Sequence, residues 1–212
     1  MKKNYFLIAN SFLLLLSIIG FSDNLFFDIH QESNSDPKFI VHGLLFLMWF
    51  TILVIQSAYI NKGNIRTHMR LGQLGMFIGL AVVLSTFYVF IVIFESWEAM
   101  PFFVKANRIF TTLFAIAILL SYIKRKNGVL HKRLIFVGTL FVLGPILDRV
   151  GGLFFEVNGI NPYIVMLELI IWNSLFISLF IYDWLTLKKI HFISWGGVIL
   201  FYIVWGLCFF VL

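Results

Sequence analysis

The sequence predicts an all-α integral membrane protein, a bundle of seven transmembrane helices, on three observations. Hydrophobic residues make up 61% of the 212 residues and charged residues only 12%, where a soluble domain carries about 25% charged. The apolar residues fall into seven runs, most of them near the roughly 20 residues a helix needs to cross the hydrocarbon core. The basic residues sit in short loops, crowded on one side and sparse on the other. With a mean hydropathy of +0.97, too little polar surface remains to coat a soluble globule, and lipid must be the solvent for most of the chain.

The spans read, in order, Tyr5–Phe21, Phe39–Ile60, Leu71–Phe94, Phe102–Ile123, Leu134–Leu147, Pro162–Tyr182 and Phe192–Leu212. The first also suits a secretory signal, with Lys2 and Lys3 ahead of it and Gly20-Phe21-Ser22 behind. At 17 residues it is long for one, and retention as a helix is the expectation. The fifth span is short; it continues past Asp148 toward Phe155, with a kink at Gly144-Pro145. In the third, Gly72, Gly75 and Gly79 offer small-residue positions for close helix packing. The loop Ser22–Lys38 is the longest, polar and expected to be mobile, and the whole chain reads as one transmembrane domain, 1–212.

Orientation follows from charge. Twelve basic residues (Lys2, Lys3, Lys62, Arg66, Arg70, Lys124, Arg125, Lys126, Lys132, Arg133, Lys188, Lys189) flank one side, and four (Lys38, Lys105, Arg108, Arg149) flank the other. Cytoplasmic loops carry the excess, which places the N-terminus inside and the C-terminus outside. Nine of the ten acids fall on the outer side, Asp183 being the exception. The net charge of +6 is spread over loops rather than gathered on one face, which excludes nucleic acid; membrane lipids are the expected partners, with a second copy or another membrane protein as further candidates. Cys208 is the single cysteine, so neither a disulfide framework nor a cysteine zinc site exists within one chain.

Three cytoplasmic loops share a pattern of basic residues followed by His68, His131 or His191, and these histidines are 63 and 60 residues apart. Each opens an outgoing helix, as a relic of duplicated hairpins would. The segments His42-Gly43-Leu44-Leu45-Phe46 with Trp49 and Gln56, His68-Met69-Arg70-Leu71-Gly72, His131-Lys132-Arg133-Leu134 with Gly144-Pro145 and Arg149, and Asp183 with His191 and Gly196-Gly197 resemble a family of small, uncharacterised polytopic inner-membrane proteins of bacteria. The resemblance covers helices two to seven; Met69 departs from the family's arginine. It implies the helical membrane fold and no particular activity.

Two constellations are candidates for function. On the cytoplasmic rim lie His68, Arg70, His131, Arg133, Asp183 and His191. Imidazoles and a carboxylate would hold a divalent metal if the helix starts converge, and the bases with the helix N-termini would hold an anion or lipid headgroup. The plainer alternative is interfacial hydrogen bonding without a ligand. On the outer side, His42, Trp49 and Gln56 recur every seven residues on one stripe of the second span, which should face the bundle. Glu168 lies about 9 Å into its helix at 1.5 Å per residue, and Arg108, Asp148, Arg149 and Lys105 sit at similar or shallower depth. These residues would line an outward pocket or a proton relay; the alternative is an ion pair of Glu168 with Arg108 or Arg149. Asn173 and Ser174 suit interhelical hydrogen bonds.

Other chemistries lack their signatures. Only His42 lies inside a span, against a b-type haem; the last span has no lysine for retinal; and neither His-Glu-x-x-His nor Gly-x-Ser-x-Gly occurs. The His-x-x-x-His pair of the alkaline-ceramidase group is also missing. The function expected is a small-ligand-binding or lipid-binding, transporter-like or accessory membrane module. The alternative is a metal-dependent or redox membrane enzyme using the cytoplasmic histidines.

Overall fold

The computed structural model describes residues 2–22, 36–155 and 161–211. Most of the loop read over Ser22–Lys38, and Leu212, lie outside the described residues. After a 3-10 turn at Lys2–Asn4, the described residues form eight α-helices: α1 Tyr5–Gly20, α2 Pro37–Asn61, α3 Ile65–Val92, α4 Phe102–Ile123, α5 Gly128–Phe141, α6 Gly144–Gly152, α7 Pro162–Leu187 and α8 Phe192–Phe210.

Several helices begin earlier than hydropathy predicts, because capping side chains rather than apolar residues set their starts. Asp36 caps α2 by accepting from the Lys38 N–H at 3.0 Å, with Pro37 in the first turn, where its missing N–H costs nothing. Asn64 accepts from Thr67 N–H at 3.1 Å, so α3 starts at Ile65 and not at Leu71. Asn127 accepts from the N–H groups of Val129 and Leu130, so α5 starts at Gly128 and not at Leu134. His68 and His131 therefore each sit four residues after an asparagine, inside the first turns of a helix. Their own N–H groups donate to the Asn64 and Asn127 carbonyls.

Five helices (α2, α3, α4, α7 and α8) are long and apolar enough to cross a membrane, and α5 with α6 adds a sixth if the broken pair, bent by 46°, is one span. The expected kink at Gly144-Pro145 is thus a complete break at Val142–Leu143. The first span falls short: α1 has 16 residues, about 24 Å at 1.5 Å per residue against a hydrocarbon core of about 30 Å. Large apolar side chains stand exposed along the helices, Phe77 at 70% and Ile91 at 73% on α3. Such a surface is stable only against lipid.

The chain gathers into two compact units. The first comprises residues 1–85 and 146–171. In it α1 packs on α2: Leu13 and Ser17 are fully buried, and Asn10 Nδ2 donates to Ser57 Oγ at 2.8 Å. The end of α1 meets α6 so closely that a Cβ on Gly20 would lie 2.9 Å from the Ile146 carbonyl oxygen. Gly75 of α3 faces Ile52 of α2 at ordinary contact distance, as its small-residue spacing predicts.

The second unit comprises residues 86–145 and 172–212, with α4, α5 and α8 packed together. Its core is aromatic. Phe110 stacks on Phe141 at 5.6 Å and on Phe201 at 5.4 Å, and Trp172 packs on Phe201 at 4.7 Å. Close approach depends on Gly138 against Ala117 and Gly197 against Val137, where an added Cβ would lie 2.8 and 2.6 Å from a neighbouring carbon. The break after α5 frees the Leu140 carbonyl, and the buried Trp172 indole N–H donates to it at 2.9 Å. Inside a membrane an unpartnered carbonyl is expensive, so this bond is what makes the break tolerable.

Candidate functional site

The first unit brings together four of the residues expected to line the outward pocket. Glu168 of α7 is only 6% exposed. Among the described residues no hydrogen bond or ion pair reaches its carboxylate. Its neighbour in charge is Asp148 on α6, and Arg149, the next residue, acts likewise on His42 of α2. Asp148 is exposed and Arg149 half-buried, with the Arg149 guanidinium 5.4 Å from the centre of the Phe21 ring. The break in the α5–α6 span starts the short helix that carries Asp148 and Arg149. Gly151, three residues after Asp148, packs against Ile164 so closely that its Cβ would lie 2.8 Å away, which holds α6 against the first turn of α7 below Glu168.

Of the stripe His42–Trp49–Gln56, His42 and Gln56 face α3. His42 Nδ1 lies 3.1 Å from Ser85 Oγ, and its ring meets Phe46 edge-on at 4.9 Å. Trp49 is 1% exposed and belongs to the core. Gln56 faces Gly72, and both of its amide atoms are buried without a hydrogen-bond partner among the described residues. Arg108, in the second unit, donates to the Phe90 carbonyl at 2.9 Å and rests on the Phe90 and Phe94 rings. The expected ion pair of Glu168 with Arg149 is not formed among the described residues. Lys105, 6% exposed, lies over the Trp97 ring at 5.5 Å. Asn173 makes the interhelical bond expected of it, accepting from Tyr202 OH at 2.8 Å.

The rim residues are corrected more sharply. Asp183 is not in a loop: α7 runs on to Leu187, and Asp183 is fully buried, as is Arg133 of α5. The two form an ion pair. Asp183 Oδ1 accepts from Arg133 Nε at 2.8 Å and also from its NH2, while Oδ2 accepts from His191 N–H at 2.9 Å and Ser194 O–H at 2.7 Å. Arg133 NH1 donates to the Val129 carbonyl at 2.9 Å. The carboxylate's four acceptor positions are taken by these four donors, and the Arg133 charge is neutralised within the pair. These bonds join α5 and α7 to the start of α8.

The rim histidines are also committed locally. His131 Nδ1 lies 3.0 Å from the Ser121 carbonyl, which only accepts, so Nδ1 carries the proton. His191 is itself the N-cap of α8, its Nδ1 accepting from Ile193 N–H at 3.2 Å, so there the proton is on the other nitrogen. Burial first, then the charge of Arg133, holds the His191 imidazole below its ordinary value, against the opposing pull of Asp183 and with a smaller push from Lys189. His68 is half-buried in α3 and Arg70 exposed. Among the described residues no three His, Cys, Asp or Glu side chains are placed to hold one metal ion. The expected rim metal centre is thus not assembled, because its carboxylate and two of its imidazoles are bound into helix ends.

Sequence reasoning missed Ser85, Ser194 and Trp172, each an ordinary residue within an apolar run. The asparagine caps were legible, since Asn64 and Asn127 stand at the same spacing before a histidine. No protein-family model, curated protein sequence or solved structure matches the chain. What the fold defines is a helical, multi-pass membrane protein that, among the described residues, has a broken helix pair and a buried acid, Glu168.

Proposed function

We propose that the chain is a small-ligand-binding, transporter-like module of a bacterial inner membrane, with its site at His42, Asp148, Arg149 and Glu168. In this reading it crosses the membrane seven times, N-terminus inside, and the site opens outward; α1 crosses with its flanking residues. Such an arrangement also agrees with membership of the polytopic family it resembles. One observation carries the reading: the broken α5–α6 pair ends in a short helix whose Asp148 lies beside the buried, unpartnered Glu168 of α7. Discontinuous helices that deliver charge into a bundle are how many transporters build ligand sites, and an unpaired intramembrane acid marks function by default. The exposed bases Lys62, Arg66, Arg70, Lys124, Arg125 and Lys126 are left for lipid headgroups.

The test is a thermal-shift screen of detergent-purified protein against primary amines, amino acids and small carboxylic acids. A ligand stabilises the state it binds by RT ln(1 + [L]/Kd). At least one class should raise the unfolding temperature of the wild type, and Arg149→Ala or His42→Ala should lose that rise. No shift across the panel, or an experimental structure with Glu168 sealed by packing, removes the proposal.

A further inference from the structure

Glu168 presents a physical problem that the fold leaves unsolved. The residue is only 6% exposed, within an apolar helix, and among the described residues of its own unit no donor or cation reaches its carboxylate. The nearest interacting charge is a second carboxylate, Asp148, which makes matters worse for an anion. An isolated ionised carboxylate in low dielectric costs many kcal/mol, so something must neutralise it. Among the described residues, the charged and titratable groups that act on one another here are Asp148 and Arg149 on α6 and His42 on α2. Arg149 and His42 interact with one another. No cage of three ligands for a metal ion is present among the described residues.

We infer that Glu168 is a proton-binding site of the bundle: it carries an exchangeable proton. The exchange balances simply. The Glu168 carboxylate accepts H+ from hydronium and leaves water; on release the proton returns to water and the carboxylate is restored. A site that binds a proton and a ligand in the same cluster couples the two, because a cationic ligand and the proton compete for one carboxylate. The inference rests on the proposed ligand site for that coupling but not for the proton itself.

The experiment uses full-length protein in nanodiscs and dicyclohexylcarbodiimide, an apolar reagent that reacts with the protonated carboxyl and leaves a stable N-acylurea. Peptide mass mapping reads the site. The wild type should be labelled at Glu168, with the yield falling as the medium goes from mildly acidic to basic. Asp148→Asn should keep the label on Glu168, and Glu168→Gln should lose it. Infrared spectra give a second reading without any variant: a protonated carboxyl C=O band should be present and should move on exchange into D2O. No label on Glu168 at any pH, a label indifferent to pH, or no carboxyl band that responds to D2O overturns the inference. Labelling at Glu168 without any thermal shift in the ligand screen would keep the proton site and remove the ligand reading, so the two failures are distinguishable.

Discussion

Replacing Asp183 by asparagine isolates what the buried ion pair contributes. Asp183 and Arg133 are both fully buried, and the carboxylate accepts from Arg133, His191 N–H and Ser194 O–H. Asparagine keeps one oxygen for the α8 donors but removes the negative charge, and its amide NH2 points a donor where an acceptor stood. Arg133 is then a buried cation with only the Val129 carbonyl. Breaking such a pair from one side costs about 3–5 kcal/mol. The assay is the unfolding midpoint in detergent, with size-exclusion profiles to confirm that the native species is compared. Arg133→Met in the Asp183→Asn background removes the orphaned cation as well, so the double variant should be more stable than Asp183→Asn alone. If Asp183→Asn unfolds within about 1 kcal/mol of wild type, below the range expected of a broken buried pair, or if the two losses simply add, the ion pair is not what joins α5, α7 and α8.

Three further outcomes follow from the same packing. Trp172→Phe removes the donor to the Leu140 carbonyl and should cost about 1–3 kcal/mol in the same melting assay; an unchanged midpoint would refute the role of that bond. Gly197→Ala would push a methyl against Val137, whereas Gly196 has open space around its Cβ position; the first should destabilise by about 1–3 kcal/mol and the second should not, and equal melting of the two would refute the close approach of α5 and α8. His191 caps α8 only while Nδ1 is unprotonated. Its folded value lies below the ordinary imidazole value, about 6.5, so the cap is complete above that value and is lost as the pH falls through the lower folded one. The ratio of amide-exchange protection at Ile193 to that at Val129, capped by the non-titrating Asn127, should drop on acidification; a constant ratio would show that the imidazole is not the cap.

Much of the bundle was legible because lipid imposes a simple rule on composition and run length. The α4 bounds, Phe102–Ile123, are those the hydropathy pattern predicts, and the kink at Gly144-Pro145 follows from backbone chemistry alone. Helix starts were misplaced where Asp36, Asn64 and Asn127 extend a helix into polar sequence, although capping residues announce themselves. Asp183 was misread for a different reason. A charged residue beside a basic loop looks like solvent-facing rim, and only its partner fifty residues earlier in the chain reveals it as interior.

Taken alone, the sequence determined that lipid is the solvent, where the apolar helices run, and that Glu168 and His42 are polar groups inside them, because each of these is a local property of composition and spacing. Only the tertiary structure decided which charges are neutralised. It paired Arg133 with Asp183, kept Arg108 among aromatic rings, and left Glu168 beside Asp148. Neutralisation is a property of distance between residues far apart in the chain, and that is the quantity a one-dimensional pattern does not contain.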